Sequence, residues 1–238
     1  MSDVAVAIIP ARGDSKRIPY KNLKLFRGEP IIAYSIRAAL GSGLFERVVV
    51  STDDPRIADV ALSYGAEVPF TRPKALADDH ATTASVIVHA VQTLAEQGQK
   101  VDLACCIYAT APLLQQRYLR AGYEALLGQP EGSFAFSVCS AGFPVQRALT
   151  LTEEGALTPL YPQYRDTRSQ DLPHAYQDAG QFYWGRTDAW LRGNGPFSEQ
   201  SLPVILPRHL VQDIDTEDDW RRVEYLYAAL LAAGELQG

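Results

Sequence analysis

Short apolar runs alternate with longer amphipathic stretches over the first half of this chain. The apolar runs predict buried strands, and they lie at 4–9, 47–51, 68–70, 102–108 and 134–138. Between them apolar residues recur with a helical period, which predicts helices at 30–40, 54–64, 83–96 and 115–127. Because strands that alternate with helices form a sheet covered on both faces, the pattern predicts an α/β fold. We expect three α/β/α layers, Rossmann-like, around a mainly parallel sheet.

The alternation then stops. Residues 140–176 are rich in Pro, Gly, Thr and Tyr and contain only short β-like pieces. Because a structureless loop of this length is uncommon in a compact domain, we expect a small inserted β-rich lobe or a dimerisation arm. Strand patterns return at 181–184 and 203–206, and an amphipathic helix is predicted over 216–232. The expectation is therefore a single domain over 1–238 that carries one inserted lobe.

The composition is that of a globular protein, with 47% hydrophobic and 21% charged residues among 238. No apolar run approaches the roughly 20 residues that span a bilayer, and no basic segment precedes the first run. Neither a membrane protein nor a secretory leader is therefore expected. Cys105, Cys106 and Cys139 are odd in number and lack metal spacing, which argues against disulfides and zinc and favours a cytoplasmic protein. A net charge of −6 argues against nucleic-acid binding.

Basic residues concentrate in the loop after the first predicted strand. Six of them lie between Arg12 and Arg27, against a single acid, Asp14. Because ligands of parallel sheets collect at the carboxyl ends of the strands, this loop is a candidate site for a polyanion such as a triphosphate. The candidate donors are backbone N–H groups and the side chains of Arg12, Ser15, Lys16 and Lys21. The alternative is a solvated run of charge, which fits Lys24 and Arg27 best, while Asn22 has the alternative of satisfying turn backbone.

Other polar positions at predicted strand ends have both a chemical and a structural interpretation. Asp53 and Asp54 follow the second strand, where either could cap the next helix. Arg72 follows the third predicted strand and has donors for a base carbonyl or a phosphate. His80 has the pKa range of a general base, although a histidine beside a helix start is more often a structural hydrogen-bonding residue.

Carboxylates cluster near the C-terminus. Asp213 and Asp215 are two positions apart, so in an extended segment both point to one side, where a hard cation such as Mg²⁺ would offset their repulsion. Residues 217–219 fall instead in the first turn of the last predicted helix, where the helix dipole stabilises acids. Cations for phosphates together with carboxylates for Mg²⁺ are what a phosphoryl- or nucleotidyl-transfer site requires.

Several motifs resemble one family along essentially the whole chain. The stretch 7–22, AIIPARGDSKRIPYKN, is similar to the opening motif of the CMP-sialic acid synthetases, a cytidylyltransferase family. The stretches VSTDD at 50–54, RP at 72–73, DDH at 78–80 and DIDT at 213–216 match that family in order and spacing. The family motif often has Gly where this chain has Asp14, and a carboxylate there would repel a triphosphate unless it faces away.

The resemblance implies a role for each matched residue. Nucleotide binding falls to Ala11, Arg12, Gly13, Ser15, Asn22, Arg72 and Asp79. The catalytic set is Arg12, Lys16, Lys21, Asp213 and Asp215, and the last two are the implied Mg²⁺ ligands. The implied sugar pocket contains Tyr108, Thr110, Arg168, Gln170, Gln181 and Phe182. A nucleotidyltransferase fold is implied as well, with a homodimer in which the inserted lobe crosses to a partner subunit.

Three stretches, at 105–112, 167–172 and 178–185, resemble one branch of the family, the pseudaminic acid cytidylyltransferases. Tyr108 stands where sialic acid synthetases usually have Gln, which favours a different nonulosonate. The implied reaction is transfer of CMP from CTP to the anomeric hydroxyl of a nine-carbon α-keto acid sugar, with release of pyrophosphate. The alternatives are N-acetylneuraminate or legionaminate as the sugar, UTP or another sugar class, and a non-catalytic nucleotide-binding regulator.

Overall fold

A twisted sheet of six strands forms the middle layer of the protein. The computed structural model describes residues 3–78, 81–129, 133–193, 195–198 and 200–236. Its strands are β1 (Ala5–Pro10), β2 (Leu25–Phe26), β3 (Glu29–Pro30), β4 (Arg47–Ser51), β5 (Leu103–Ile107), β6 (Phe134–Ser140), β7 (Leu149–Leu151), β8 (Leu157–Pro159), β9 (Tyr176–Arg186) and β10 (Ser201–Leu206). Its α-helices are α1 (Ile32–Ser42), α2 (Pro55–Ser63), α3 (Thr83–Glu96), α4 (Gln116–Gly128), α5 (Thr187–Arg192) and α6 (Glu217–Ala232).

The strand order of the main sheet is β10-β6-β9-β5-β1-β4. β1 pairs in parallel with β4 and β5, and β6 pairs in parallel with β10. β9 is antiparallel to both β5 and β6, because the chain leaves β6, builds the lobe at that edge, and re-enters the sheet from the same edge. The mainly parallel sheet is therefore confirmed, with one reversed strand at its centre.

The core lies on both faces of the sheet, as a three-layer fold requires. Along β1, the side chains of Ala5, Ala7 and Ile9 join α1, α2 and α4 on one face, whereas Val6 and Ile8 join α3 and α5 on the other. All five are buried, because alternate residues of a strand point to opposite faces. A third cluster packs α6 against β2 and the start of α1.

Two sequence predictions were wrong in detail. The strand predicted at 68–70 is reduced to an isolated bridge between Val49 and Glu67, and Pro69, which lacks an N–H, lies two residues after it. The first helix begins at Ile32 rather than Pro30, because Pro30 pairs with Leu25 in a short hairpin.

The inserted segment at 140–176 contains the β7–β8 hairpin and three 3₁₀ turns. Most of its large apolar side chains face outward: Phe143 is 85% exposed and Leu151 is 67% exposed, whereas Leu172 is buried. Among the helices in the described ranges, none has the length and apolar character that crossing a membrane requires.

Candidate active site

A basic cavity of about 570 Å³ opens at the carboxyl ends of β1 and β5. The loop after β1 forms one wall, and the segment after β5 forms the opposite one. We define the basic cavity by its main lining side chains, which are Arg12, Ser15, Lys16, Arg17, Lys21, Asn22, Arg72, Tyr108 and Thr110. The predicted triphosphate donors are therefore together in one place.

Backbone hydrogen bonds hold the basic loop in shape. Asn22 is buried and its Nδ2 donates to the carbonyl of Arg12 at 2.9 Å, which confirms the structural alternative for this side chain. The N–H of Ala11 donates to the carbonyl of Ser51, and that of Gly13 to Asp53 Oδ1, both at 3.0 Å. Both N–H groups therefore already have protein acceptors, and the assignment of Ala11 and Gly13 to nucleotide binding stays a prediction.

Asp14 lies away from the basic cavity. It lines a separate shallow groove with Tyr20, Asp53 and Arg56. Tyr20 has a left-handed backbone (φ 50°), and the guanidinium of Arg56 lies 4.3 Å from the centre of its ring. Asp14 is thus absent from the lining of the basic cavity, whereas Ser15, the next residue, lines both the groove and the cavity.

Arg72 forms a fixed positive charge in the cavity wall. It is 4% exposed, and its guanidinium donates to both the Oγ and the carbonyl of Ser51 and to the carbonyl of Leu76. Burial lowers the pKa of Arg72 to about 10, so the side chain remains protonated at neutral pH.

A second, acidic cavity of about 1040 Å³ lies between the lobe, β9 and the segment that leads into α6. We define the acidic cavity by Asp178, Asp213, Asp215 and Asp219, with Arg147, Arg208 and Arg222 around them. Burial and the negative charge of Asp215 raise the pKa of Asp213. The two carboxylates are therefore close enough to repel each other, as the extended segment predicted.

Lys21 joins the two cavities. Its Nζ donates to the carbonyl of Ile214 at 2.5 Å and lies 3.6 Å from Asp215 Oδ1. Burial lowers the pKa of Lys21, although the nearby aspartates act in the opposite direction. Arg17 also reaches Asp215, at 2.8 Å. A segment near the C-terminus thus closes against the first loop of the chain.

Gly180 of β9 lies near one residue of each cavity. Its φ is +61°, and a Cβ built there would lie 3.9 Å from Asp213 Cγ and 4.0 Å from Tyr108 Cδ2. Tyr108 of the basic cavity and Asp213 of the acidic cavity therefore both lie close to this glycine.

The family model for cytidylyltransferases matches residues 6–217. The chain belongs to the cytidylyltransferase family. It is 46% identical over 222 residues to a pseudaminic acid cytidylyltransferase of Campylobacter jejuni, covering 93% of this chain and 95% of the relative. It is 33% identical over 227 residues to a CMP-N,N'-diacetyllegionaminic acid synthase of Legionella pneumophila, covering 93% and 95%.

Solved structures show the same fold at low identity. A CMP:2-keto-3-deoxy-manno-octonic acid synthetase complexed with CTP superimposes with a TM-score of 0.70 at 20% identity, over 95% of this chain and 99% of that one. A 4-diphosphocytidyl-2C-methyl-D-erythritol synthase from Anaerococcus prevotii gives a TM-score of 0.63 at 10% identity, with the same coverage. The nucleotidyltransferase fold is thereby confirmed.

The carboxylates of this cytidylyltransferase fit a divalent cation that is ligated partly by the protein and partly by the phosphates of a nucleotide. The described residues contain no group of three or more His, Cys, Asp or Glu side chains placed to hold a metal by themselves. Mg²⁺ commonly takes one or two protein carboxylates and completes its shell with phosphate oxygens and water. Asp213 and Asp215 supply such a pair at the edge of the acidic cavity.

The predicted sugar residues separate into three groups. Tyr108 and Thr110 line the basic cavity rather than the acidic one. Arg168 and Gln170 are exposed on the lobe, and among the described side chains neither lines the two cavities. Gln181 and Phe182 were wrong as sugar ligands, because each is turned into the protein.

Strand β9 explains that correction. Phe182 is fully buried and packs against α4, where a Cβ added to Gly122 would lie 3.0 Å from its ring. Gln181 is 3% exposed, and its Nε2 donates to the carbonyl of Leu210. Because β9 is a central strand covered on both faces, neither the Gln181 nor the Phe182 side chain reaches solvent.

Several site residues carried no clear signal in the sequence. Arg17 belongs to the basic run, but its pairing with Asp215 depends on a contact that no local pattern reveals. Lys24, expected to be solvated, is only partly exposed: its Nζ contacts Glu217 at 2.6 Å and lies 4.4 Å from the ring centre of Trp220. Asp79 and His80 lie outside the described residues.

Proposed function

We propose that this cytidylyltransferase transfers CMP from CTP to pseudaminic acid and releases pyrophosphate. The observation that carries the proposal is the contact between Lys21 and Asp215, which joins a cavity lined by cations to a cavity lined by carboxylates. The similarity to pseudaminic acid cytidylyltransferase over nearly the whole chain supports the choice of sugar. The relatives that act on legionaminic or acylneuraminic acids are less similar, at 33% and 32% identity.

The triphosphate of CTP would occupy the basic cavity. Arg12 presents a planar guanidinium that suits bidentate phosphate binding, whereas Lys16 and Lys21 act as compact charges. Ser15 adds a hydroxyl donor, and Arg72 adds a fixed charge behind them. Together these groups stabilise the negative charge that develops on the departing pyrophosphate.

Asp213 and Asp215 would hold Mg²⁺, which when bound supplies positive charge that neutralises phosphate oxygens. The chain's own task is positioning. Lys21 fixes the carbonyl between the two carboxylates, and so sets where the acidic segment stands against the triphosphate. The anomeric hydroxyl attacks the α-phosphorus in line, and holding the two anions together provides most of the rate gain.

The sugar would enter from the acidic cavity. Arg147, Arg208 and Arg222 line that cavity and offer partners for the sugar carboxylate. We also propose that the protein is a homodimer in which the lobe of one copy covers the cavity of the other and brings Arg168 and Gln170 to it. The exposed apolar side chains of the lobe support this assembly.

A cytoplasmic location is part of the same proposal. Cys105, Cys106 and Cys139 are buried free thiols, which is typical of proteins in reducing compartments. Burial raises the pKa of Cys105 and of Cys106, so both remain unreactive thiols at neutral pH.

The test measures pyrophosphate release with CTP and Mg²⁺ against a panel of pseudaminic, legionaminic and N-acetylneuraminic acids. We expect the highest kcat/KM with pseudaminic acid, and ATP, GTP and UTP should be poor substitutes for CTP. Preferred turnover of another nonulosonate would overturn the choice of sugar. CTP binding without turnover of any sugar would instead favour a nucleotide-binding regulator.

A further inference from the structure

We infer that Gln181 is a positioning residue for the acidic segment, defined as residues 211–216, and that it acts through Leu210 without touching substrate. The inference rests on the proposed function, because it takes Asp213 and Asp215 as metal ligands. The Gln181 amide is buried, lines neither cavity and lies outside the lobe, so none of the roles proposed above involves it.

An irregular stretch of β9 directs the Gln181 side chain. β9 pairs with β6 through Phe136–Tyr183 and Val138–Asp178, so four residues of β9 stand opposite Ser137 alone. The Ser137 Oγ accepts the N–H of Gln181 and of Phe182, at 3.3 and 3.2 Å. Bulges of this kind re-aim side chains and are frequent beside active sites.

The amide of Gln181 ties the bulge to the start of the acidic segment. Its Nε2 donates to the carbonyl of Leu210 at 2.5 Å. Leu210 is fully buried and packs with Trp220 of α6, so this attachment point is itself rigid. Asp213 follows three residues later, within about 10 Å of chain even when fully extended.

Two carbonyls are therefore held on either side of Asp213. Gln181 holds that of Leu210 from β9, and Lys21 holds that of Ile214 from the basic loop. Lys21 also lines the basic cavity, where the triphosphate would compete for its ammonium. Gln181 lies outside that cavity, so the triphosphate would not compete for its amide.

The oxygen of the same amide makes no hydrogen bond among the described residues, so replacing Gln181 removes one hydrogen bond only. Its Oε1 is buried and has no hydrogen-bond partner among the described residues. Gln181→Met removes the donor and this unsatisfied acceptor together at similar volume, and leaves only the Leu210 carbonyl without its bond. The fold should therefore tolerate the change, and Gln181→Asn, whose amide is too short to reach, serves as the second variant.

Calorimetric titration of Mg²⁺ in the presence of a non-hydrolysable CTP analogue tests the inference without sugar or turnover. Outer residues that orient metal ligands typically change metal affinity by about tenfold or more when replaced, and we expect a Kd for Mg²⁺ raised by about tenfold in Gln181→Met. Binding of the analogue without metal should be unchanged. Ser42→Ala is the control, because it removes a buried side-chain hydrogen bond, to the carbonyl of Ala39, at the end of α1 and away from β9 and Leu210.

A wild-type Kd for Mg²⁺ in both Gln181 variants would overturn the inference. An equal rise in Ser42→Ala would overturn it as well, because the effect would then follow a general loss of stability. A wild-type protein that binds Mg²⁺ with the analogue but transfers CMP to no sugar would contradict the proposed function and leave the Gln181 comparison valid.

Discussion

Lys21 and Asp215, from opposite ends of the chain, lie 3.6 Å apart from Nζ to Oδ1 at the boundary between the basic and acidic cavities. The pair brings a proposed hydrogen-bond donor to phosphate, Lys21, next to a proposed metal ligand, Asp215. Burial lowers the pKa of Lys21 and raises that of Asp213, so on each side of this boundary burial disfavours the charged form of the side chain. A magnesium–triphosphate complex provides charges of both signs and would satisfy both sides at once.

The acidic pair provides the most direct test of the site. Asp213→Ala and Asp215→Ala should each reduce pyrophosphate release at least about a hundredfold, since each removes a proposed metal ligand. Asp218→Ala is the control, because this exposed acid lies in the first turn of α6 and outside both cavities. Near wild-type turnover in both Asp213 and Asp215 variants would contradict the metal assignment.

Two neighbouring lysines should behave differently. Lys21→Ala should raise the KM for CTP by about tenfold or more, because hydrogen bonds to charged phosphate are among the stronger ones. Lys24→Ala should leave that KM unchanged and cost at most about 1 kcal/mol of stability, because Lys24 pairs with Glu217 at the surface. Steady-state kinetics with varied CTP separates the two, and equal KM values would refute a phosphate role for Lys21.

Local sequence patterns were sufficient to predict much of the fold and to locate the basic loop and the Asp213–Asp215 pair. The apolar runs predicted β1, β4, β5 and β6, and the Asp54-Pro55 pair predicted the start of α2. Asp54 does cap that helix, where it accepts the N–H of Arg56 at 2.8 Å. These features depend on residues close together in the chain, which is why periodicity and capping chemistry reveal them.

The misassigned residues depend on pairing between distant segments. Which way Gln181 and Phe182 point is set by how β9 pairs with β6, and a shift of register changes the face of every side chain in a strand. The contact of Lys24 with Glu217 likewise requires α6 to pack on β2. No local pattern carries that information.

The cap of α2 predicts a pH-dependent loss of stability. Hydrogen bonds from the Arg56 side chain, and then from its N–H, lower the pKa of Asp54 below 3.8. A lowered folded-state pKa stabilises the protein above the ordinary aspartate range, and that stabilisation is lost as pH falls through the lowered value. Asp54→Ala should therefore cost about 1 to 2 kcal/mol at neutral pH.

Thermal unfolding of both proteins from pH 7 to pH 2 measures this difference. The gap between wild type and Asp54→Ala should narrow at the acidic end, where Asp54 is protonated. Asp54→Asn, which keeps a side-chain oxygen for the cap, should lose less at neutral pH. A gap that stays constant across the range would show that the charge of Asp54 contributes nothing to the cap.

Asp14 should be neutral toward CTP despite its place in the basic loop. It lines the groove beside Tyr20 and Arg56. Arg12 and Ser15, on either side of it in the sequence, line the basic cavity. Asp14→Gly should therefore change the KM for CTP by less than about twofold, because a charge outside the cavity is screened by water. Lys16→Ala, two residues further along the chain, should raise the KM for CTP by more than this. A marked drop in KM for Asp14→Gly would mean that this carboxylate turns toward the triphosphate when nucleotide binds.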